Sequence, residues 1–127
     1  MTIYKNQPNF LYPIIVYIHG GQNGDYDSGS AQQWPGFILA QYGVMVITIN
    51  YRLGPLGFLT TENSYATGNY GFLDVVRALE WIQENIQQFR GDNSKVTVMG
   101  HDSGASLIGF MLVSPLTRGR SMFVLFI

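Results

Sequence analysis

One stretch, from Lys95 to Val113, restricts the possible folds more than any other part of the chain. It opens with a run of β-type residues, passes through the spacing Gly-x-x-x-Gly between Gly100 and Gly104, and ends in a small-residue apolar segment. This pattern is typical of a strand that enters a sharp turn and leaves it as a helix. The glycines stand where such a turn needs a backbone without a Cβ. Asp102 occupies the middle of the turn, and a serine follows it at Ser103.

Three other stretches predict strands. Pro13–Ile18 and Val44–Ile49 are nearly continuous apolar runs, which is the pattern of a strand buried on both faces. Met122–Ile127 is a candidate for a fourth strand after Lys95–Met99. Strands separated by helices imply a mostly parallel sheet with helices on both faces. The predicted fold class is therefore α/β.

The segments between the strands predict helices and loops. Gln32–Tyr42 is a candidate helix that Pro35 enters or breaks, and Asn50–Asn69 is predicted to be a loop. The clearest helix has Asp74 in its first turn and is closed by Arg90-Gly91. One apolar stripe of this helix should face the sheet, and it consists of Val75, Leu79, Ile82, Ile86 and Phe89.

Composition excludes several classes of function. A chain of 127 residues has room for one modest domain, and 46% hydrophobic residues indicate a buried core. Charge is sparse, with a net of -1 and no basic run, so no nucleic acid is expected as a partner. The absence of cysteine excludes disulfides and thiolate metal sites, and neither a metal nor a cofactor is expected. We expect no membrane segment, and Met1–Asn9 lacks the features of a signal peptide.

Five segments carry a family resemblance: Ile18–Gly21, Ile49–Leu59, Gly68–Asp92, Val96–Gly100 and Ser114–Leu116. In this order they resemble the type-B carboxylesterase and cholinesterase family, which includes the non-catalytic neuroligin and gliotactin-like adhesion proteins. Any one segment alone is weak evidence, but five in family order are specific. The resemblance covers about residues 14–119 and implies a partial α/β-hydrolase fold. Because family domains are several times longer, we expect residues 1–127 to be a fragment of such a domain.

Asp102 is the residue on which function depends. In the resembled family this turn is the nucleophile elbow, Gly-x-Ser-x-Gly, and the resemblance places Asp102 at the nucleophile position with Ser103 one place late. The first interpretation is lost catalysis, because the adhesion branch also lacks this serine. The second is an aspartate nucleophile, since Gly-His-Asp-x-Gly resembles the elbow of epoxide hydrolases. In the third, Ser103 attacks, although its side chain should point away from the apex. Aspartate also tolerates left-handed backbone, which fits a purely structural role.

The segment His19-Gly20-Gly21 resembles the family's oxyanion loop, whose backbone N–H groups hold a developing negative charge. The resemblance implies donors at Gly21 and Gln22, with a third at Ser103. The family's esterases usually have a third glycine where this chain has Gln22, whose Cβ restricts the backbone and narrows the substrate space. The alternative is that this loop has a purely structural role.

The remaining candidates have simpler explanations. Arg52 is expected to pin loops by bidentate hydrogen bonds. Arg90–Asp92 spells an integrin tripeptide, but we assign it to the turn that ends a helix. His101 stands where the family usually has a glutamate, and because it is adjacent to Asp102 in sequence, its side chain cannot readily act as a base for that residue. His19 is expected to contribute to the shape of its loop. The family's catalytic histidine and third triad carboxylate would lie downstream of this chain.

The sequence thus predicts a catalytically inactive, carboxylesterase-like domain with no catalytic residue of its own. By resemblance, the full-length parent would act in cell adhesion or protein binding, outside the cell or at its surface, through a protein partner. The main alternative is an ester hydrolase whose remaining triad residues are absent from this chain, or an aspartate-nucleophile hydrolase.

Overall fold

The computed structural model describes residues 9–21, 34–117 and 123–126. At its centre is a sheet of four parallel strands, β1 (Tyr12–Ile18), β2 (Met45–Ile49), β3 (Gly91–Gly100) and β4 (Phe123–Phe126). Their spatial order is β2-β1-β3-β4, so β1 and β3 are the central strands. The predicted α/β class is confirmed, and all the predicted strands are present.

Four α-helices occur in the described residues: α1 (Phe37–Ala40), α2 (Gly54–Phe58), α3 (Tyr70–Asn85) and α4 (Ser103–Val113). A 3-10 turn, Ile86–Phe89, extends α3, and another, Pro115–Thr117, follows α4. The helix α4 ends at Val113 as expected, because the residue before a proline avoids helical backbone.

Helices cover both faces of the sheet. Val16 pairs with Ile47 on one side and Val98 on the other, and this face packs against α3 and α4 in the main core. On the opposite face, Gly36 comes so close to β2 that a Cβ on it would lie 2.4 Å from Val46 Cγ1. The helix α1, which begins at the next residue, therefore lies against that face. The buried apolar residues of the core cluster are Ile14, Val16, Ile18, Tyr51, Val75, Leu79, Ile82, Ile86, Val96, Val98, Leu107, Ile108 and Met111.

Two details of α3 differ from the sequence prediction. The helix begins at Tyr70, so Asp74 lies beyond its first turn and bonds to Arg52 instead of capping the helix dipole. Phe89 does not face the sheet, since it is 59% exposed and its ring lies against Trp81 at 6.1 Å. The other stripe residues are buried as predicted.

The turn after α3 also departs from expectation. The left-handed residue is Arg90, with φ 67°, whereas Gly91 already begins β3. Glycine is required at 91 because a Cβ there would lie 2.6 Å from Ile86 Cγ1. Close packing, and not a positive φ, thus explains this glycine.

Two boundaries in the first half are corrected as well. The segment predicted as a loop contains α2, because Pro55 stands at the start of a helix, where its missing N–H is no loss. The first helix is confined to Phe37–Ala40, shorter than the predicted Gln32–Tyr42, whose residues 32 and 33 lie outside the described part of the chain.

Candidate functional site

The turn between β3 and α4, His101–Gly104, is hereafter the elbow turn. The Gly104 N–H donates a hydrogen bond to the His101 carbonyl (2.9 Å), which closes the turn. Asp102 has φ 53° and ψ -122°, the conformation of the first central residue of a type II′ turn, where glycine is preferred. This ψ lies far from the left-handed helical value of about +47°. The left-handed backbone expected at Asp102 is thus present in its positive φ, although its ψ is that of a tight turn and not of a left-handed helix.

The glycines of the elbow turn are required for close packing. A Cβ on Gly104 would lie 2.3 Å from the Ile18 carbonyl oxygen, and one on Gly100 would lie 2.6 Å from Ile108 Cδ1. A Cβ on Gly20 would lie 2.7 Å from the Asp102 Cβ. The loop His19–Gly21 is thus in direct contact with the elbow turn. The sequence linked this loop and the elbow turn only through the family resemblance, and in the structure the two segments pack against each other.

Hydrogen bonds from the side chains of His19 and Tyr51 fix the backbone of the His19–Gly21 loop. The imidazole of His19 is buried and stacks on the Tyr51 ring with 4.7 Å between centroids. The Tyr51 hydroxyl donates to the His19 carbonyl (2.8 Å), and His19 Nδ1–H donates to the Gly20 carbonyl (2.9 Å). Burial raises the pKa of the Tyr51 phenol, which keeps it protonated as a donor. His19 therefore shapes the loop, as predicted.

Sequence reasoning missed Tyr51. The one feature that pointed to Tyr51 was its place in Ile49–Leu59, one of the segments that carry the family resemblance. The sequence assigned no contact to it. The pairing with His19 joins residues 32 positions apart, and such a contact depends on the register of β1 and β2.

Asp102 and Ser103 both line one cavity at the elbow turn, but they face different surroundings. Asp102 is exposed at the turn, whereas Ser103 is half-buried. The Ser103 hydroxyl donates at 3.5 Å to the Gly21 carbonyl, and it also bonds to Tyr51, which partly offsets the rise in the pKa of that phenol. Gln22 lies outside the described residues, so its effect on the substrate space stays a prediction.

The cavity has a volume of about 680 Å³. Its apolar walls come mainly from the segment around α2 and from α4, and Asp102 is its one charged group among the described residues. The volume falls in the range typical of small-molecule sites. The lining consists of Gly21, Tyr51, Leu53, Gly54, Pro55, Phe58, Leu59, Asp102, Ser103, Ser106, Leu107 and Phe110.

Arg52 has a structural role away from this cavity. Its Nε and one terminal nitrogen donate to the two carboxylate oxygens of Asp74 at 2.7 and 2.6 Å, and its backbone N–H adds a third bond at 3.1 Å. These bonds hold the pKa of Asp74 below its usual value. The predicted bidentate contact is confirmed, and it ties the loop after β2 to α3.

The tripeptide Arg90–Asp92 joins the end of the 3-10 turn to the start of β3. Gly91 is buried at the start of β3. The Asp92 carboxylate accepts hydrogen bonds from the backbone and hydroxyl of Ser94 (3.0 and 2.6 Å) and pairs with Lys95 at 3.1 Å. The geometry agrees with the assignment to a helix-end turn.

Neither a metal cluster nor a membrane span is evident within residues 9–21, 34–117 and 123–126. No group of three or more His, Cys, Asp or Glu side chains there could hold a metal ion. Likewise, none of the helices in these ranges is long and apolar enough to cross a bilayer.

The parallel sheet, the glycine-packed elbow turn and the loop beside it define an α/β-hydrolase fold. The family model described as "Carboxylesterase family" matches residues 1–126. The chain belongs to the carboxylesterase family.

Its relatives carry both esterase and neuroligin names. The chain is 50% identical to the neuroligin-like protein glit-1 of Caenorhabditis elegans, 48% to human carboxylesterase 3 and 44% to mouse neuroligin-2, each over 84% of this chain. It spans only 14%, 18% and 13% of the length of these relatives. Identity alone therefore does not separate the two branches.

Solved esterase structures share the fold. The juvenile hormone esterase of Manduca sexta superposes with a TM-score of 0.79 and 35% identity, over 86% of this chain and 20% of that one. A structure titled PNB esterase gives 0.80 and 41%, over 89% and 25%. The predicted partial α/β-hydrolase fold is confirmed.

Proposed function

We propose that the chain is part of a catalytically inactive carboxylesterase-family domain. Its longer parent would bind a protein partner outside the cell or at its surface. The observation that carries this proposal is Asp102, a carboxylate at the strained first central position of the elbow turn, where the resembled esterases have a serine. The neuroligin names among the relatives support the partner and the location.

The chemistry of a carboxylate at this position disfavours ester hydrolysis. A serine hydroxyl becomes a nucleophile when a histidine takes its proton, and a carboxylate has no such proton to give. Attack by a carboxylate on an ester would form an acid anhydride and expel an alkoxide that returns more readily than it leaves. The surroundings of the two described histidines support the absence of a base. His19 is buried and stacks on Tyr51, and His101, the direct neighbour of Asp102, lies beside the ring of Trp34.

Labelling with an organophosphate tests this proposal. The 127-residue chain is treated with diisopropyl fluorophosphate, and its intact mass is measured beside a serine esterase as positive control. We expect no adduct on the wild type or on the Asp102→Ala variant. A stoichiometric adduct that disappears in Ser103→Ala would contradict the proposal and identify Ser103 as the nucleophile.

An aspartate-nucleophile hydrolase is the second candidate, because Asp102 is exposed at a cavity of about 680 Å³. In that reaction the carboxylate opens an epoxide to form an ester, and water then attacks the ester carbonyl. One carboxylate oxygen of the enzyme is replaced by oxygen from water. A single turnover of styrene oxide in heavy-oxygen water should leave Asp102 unlabelled. Incorporation of the heavy isotope at Asp102 would establish this candidate instead.

A further inference from the structure

The cavity at the elbow turn combines apolar walls with the carboxylate of an exposed lining residue, Asp102. Phe58 and Phe110 contribute aromatic surface to it and are 38% and 62% exposed, so their rings are accessible to a ligand. Leu107 is buried beneath them. The polar side chains of the described lining are Tyr51, Asp102, Ser103 and Ser106, and the last three belong to the elbow turn or to the first turn of α4. A ligand that fits this distribution has an apolar body and one polar end.

The charge of that polar end follows from the lining. Among the described lining residues, Asp102 is the one with a charged side chain, and none of them is a lysine or arginine that could neutralise it. Arg52 precedes the lining residue Leu53, but its guanidinium bonds to Asp74. The carboxylate is therefore left to pair with a cation from outside the lining. Benzoate-like anions would be repelled by the same charge.

We propose that this cavity binds small primary amines that carry an apolar body. The ammonium has three donors, enough for the Asp102 carboxylate and for oxygen atoms of Gly21 or Ser103 at the same end. The apolar body lies against Phe58 and Phe110. This binding goes beyond the proposed function, because a catalytically inactive domain needs no small-molecule ligand. A serine in place of Asp102 would supply no charge to pair with the ammonium.

Three compounds that share one ring test the charge preference. Dissociation constants of benzylammonium, benzyl alcohol and benzoate are measured on the 127-residue chain by saturation-transfer NMR. Because Asp102 is exposed, we expect benzylammonium to bind about fivefold more tightly than benzyl alcohol at low salt. Benzoate should bind most weakly. Added salt should reduce the preference for benzylammonium, since exposed charges are screened.

Three variants assign the preference to this cavity. Asp102→Asn should bind benzylammonium no better than benzyl alcohol, whereas Glu84→Gln, which removes an exposed carboxylate on α3, should keep the wild-type preference. Phe110→Ala should weaken both compounds to a similar extent. Near-UV circular dichroism checks that each variant keeps the wild-type fold, and the salt titration of the wild type gives the test independently of any variant.

The inference is overturned if the wild type binds neither compound, if it binds both equally, if salt leaves the preference unchanged, or if a folded Asp102→Asn keeps it. Hydrolysis of an ester would contradict the proposed function without affecting this result, so the two failures are distinguishable.

Discussion

Asp102 adopts a backbone conformation that glycine reaches without cost. At φ 53° and ψ -122° a residue with a Cβ is strained, typically by about 1–3 kcal/mol. We expect Asp102→Gly to raise the free energy of unfolding by about 1–2 kcal/mol, because it removes the backbone strain. Part of this gain is offset because glycine increases the conformational entropy of the unfolded chain. Urea denaturation measures the change.

Asp102→Ala is the matched control for that substitution. It removes the same carboxylate but keeps the Cβ, so it retains the strain and should give little of the gain. If alanine stabilises the chain as much as glycine does, charge and not backbone strain explains the effect, and the assignment of strain to Asp102 is contradicted.

At the scale of single residues, the sequence predicted the position of the elbow turn but not its conformation. The spacing of Gly100 and Gly104 was sufficient to place Asp102 between a strand and a helix. The ψ of Asp102 was not predictable from this spacing, because the turn packs against the end of β1 through Gly104, a contact that a local pattern does not contain. The Tyr51 bond to His19 depends in the same way on residues that only the folded sheet brings together.

The helix α4 contains two glycines with opposite requirements. A Cβ on Gly104 would meet the backbone oxygens of Ile18 and His19 at 2.3 and 2.6 Å, whereas no atom of the described residues lies within 4 Å of one on Gly109. We expect Gly104→Ala to destabilise the chain by about 1–3 kcal/mol through overpacking. Gly109→Ala should stabilise it by about 0.5–1 kcal/mol, the ordinary helix preference.

Chemical denaturation of the two variants tests this contrast. Both make the same Gly→Ala substitution in the same helix, so a difference between them reflects the surroundings of the two positions. Equal effects of the same sign would contradict the close contact between α4 and the end of β1.

The contact between Arg52 and Asp74 predicts an acid dependence of stability. The pKa of Asp74 is lowered in the folded state, so its contribution is present above the unfolded value of about 3.9 and is lost as pH falls below it. We expect the wild type to lose more stability between about pH 5 and pH 3 than Asp74→Asn does. Asp92, whose pKa its bonds to Ser94 also lower, contributes in both proteins and cancels in the comparison.

Urea midpoints across this pH range give the measurement, and Arg52→Gln should flatten the curve in the same way because it removes the partner. An Asp74→Asn variant with the full acid loss of the wild type would show that the pair does not couple stability to pH.

At the scale of elements, the apolar runs were sufficient to predict the strands and the buried stripe of α3, because burial on the sheet imposes their periodicity. The helix α2 was missed since Gly54, Pro55 and Gly57 resemble turn signals. Gly57 is in fact required by packing, because a Cβ on it would lie 2.2 Å from the Arg52 carbonyl oxygen. Short helices of this kind are set by tertiary contacts that a local pattern does not contain.

For the whole molecule, the described residues leave much apolar surface in contact with water. On α4, Phe110, Leu112 and Val113 are 62%, 62% and 77% exposed, and α1 exposes Phe37 and Ile38 to a similar degree. Exposed apolar patches of this kind drive association. We expect the purified chain to self-associate with rising concentration, measured by sedimentation velocity, and Leu112→Lys with Val113→Lys to reduce this. A wild-type chain that stays monomeric at all concentrations would contradict the expectation.

The central claim is that this chain, with a carboxylate at the elbow turn and no base positioned beside it, has no esterase activity, and hydrolysis of a p-nitrophenyl ester tests it most directly. The wild-type chain and Asp102→Ser are assayed side by side. We predict no saturable turnover by either, because a serine without a base recovers almost nothing of a triad whose loss costs on the order of a millionfold. Saturable turnover by the wild type that is abolished in Asp102→Ala would contradict the claim.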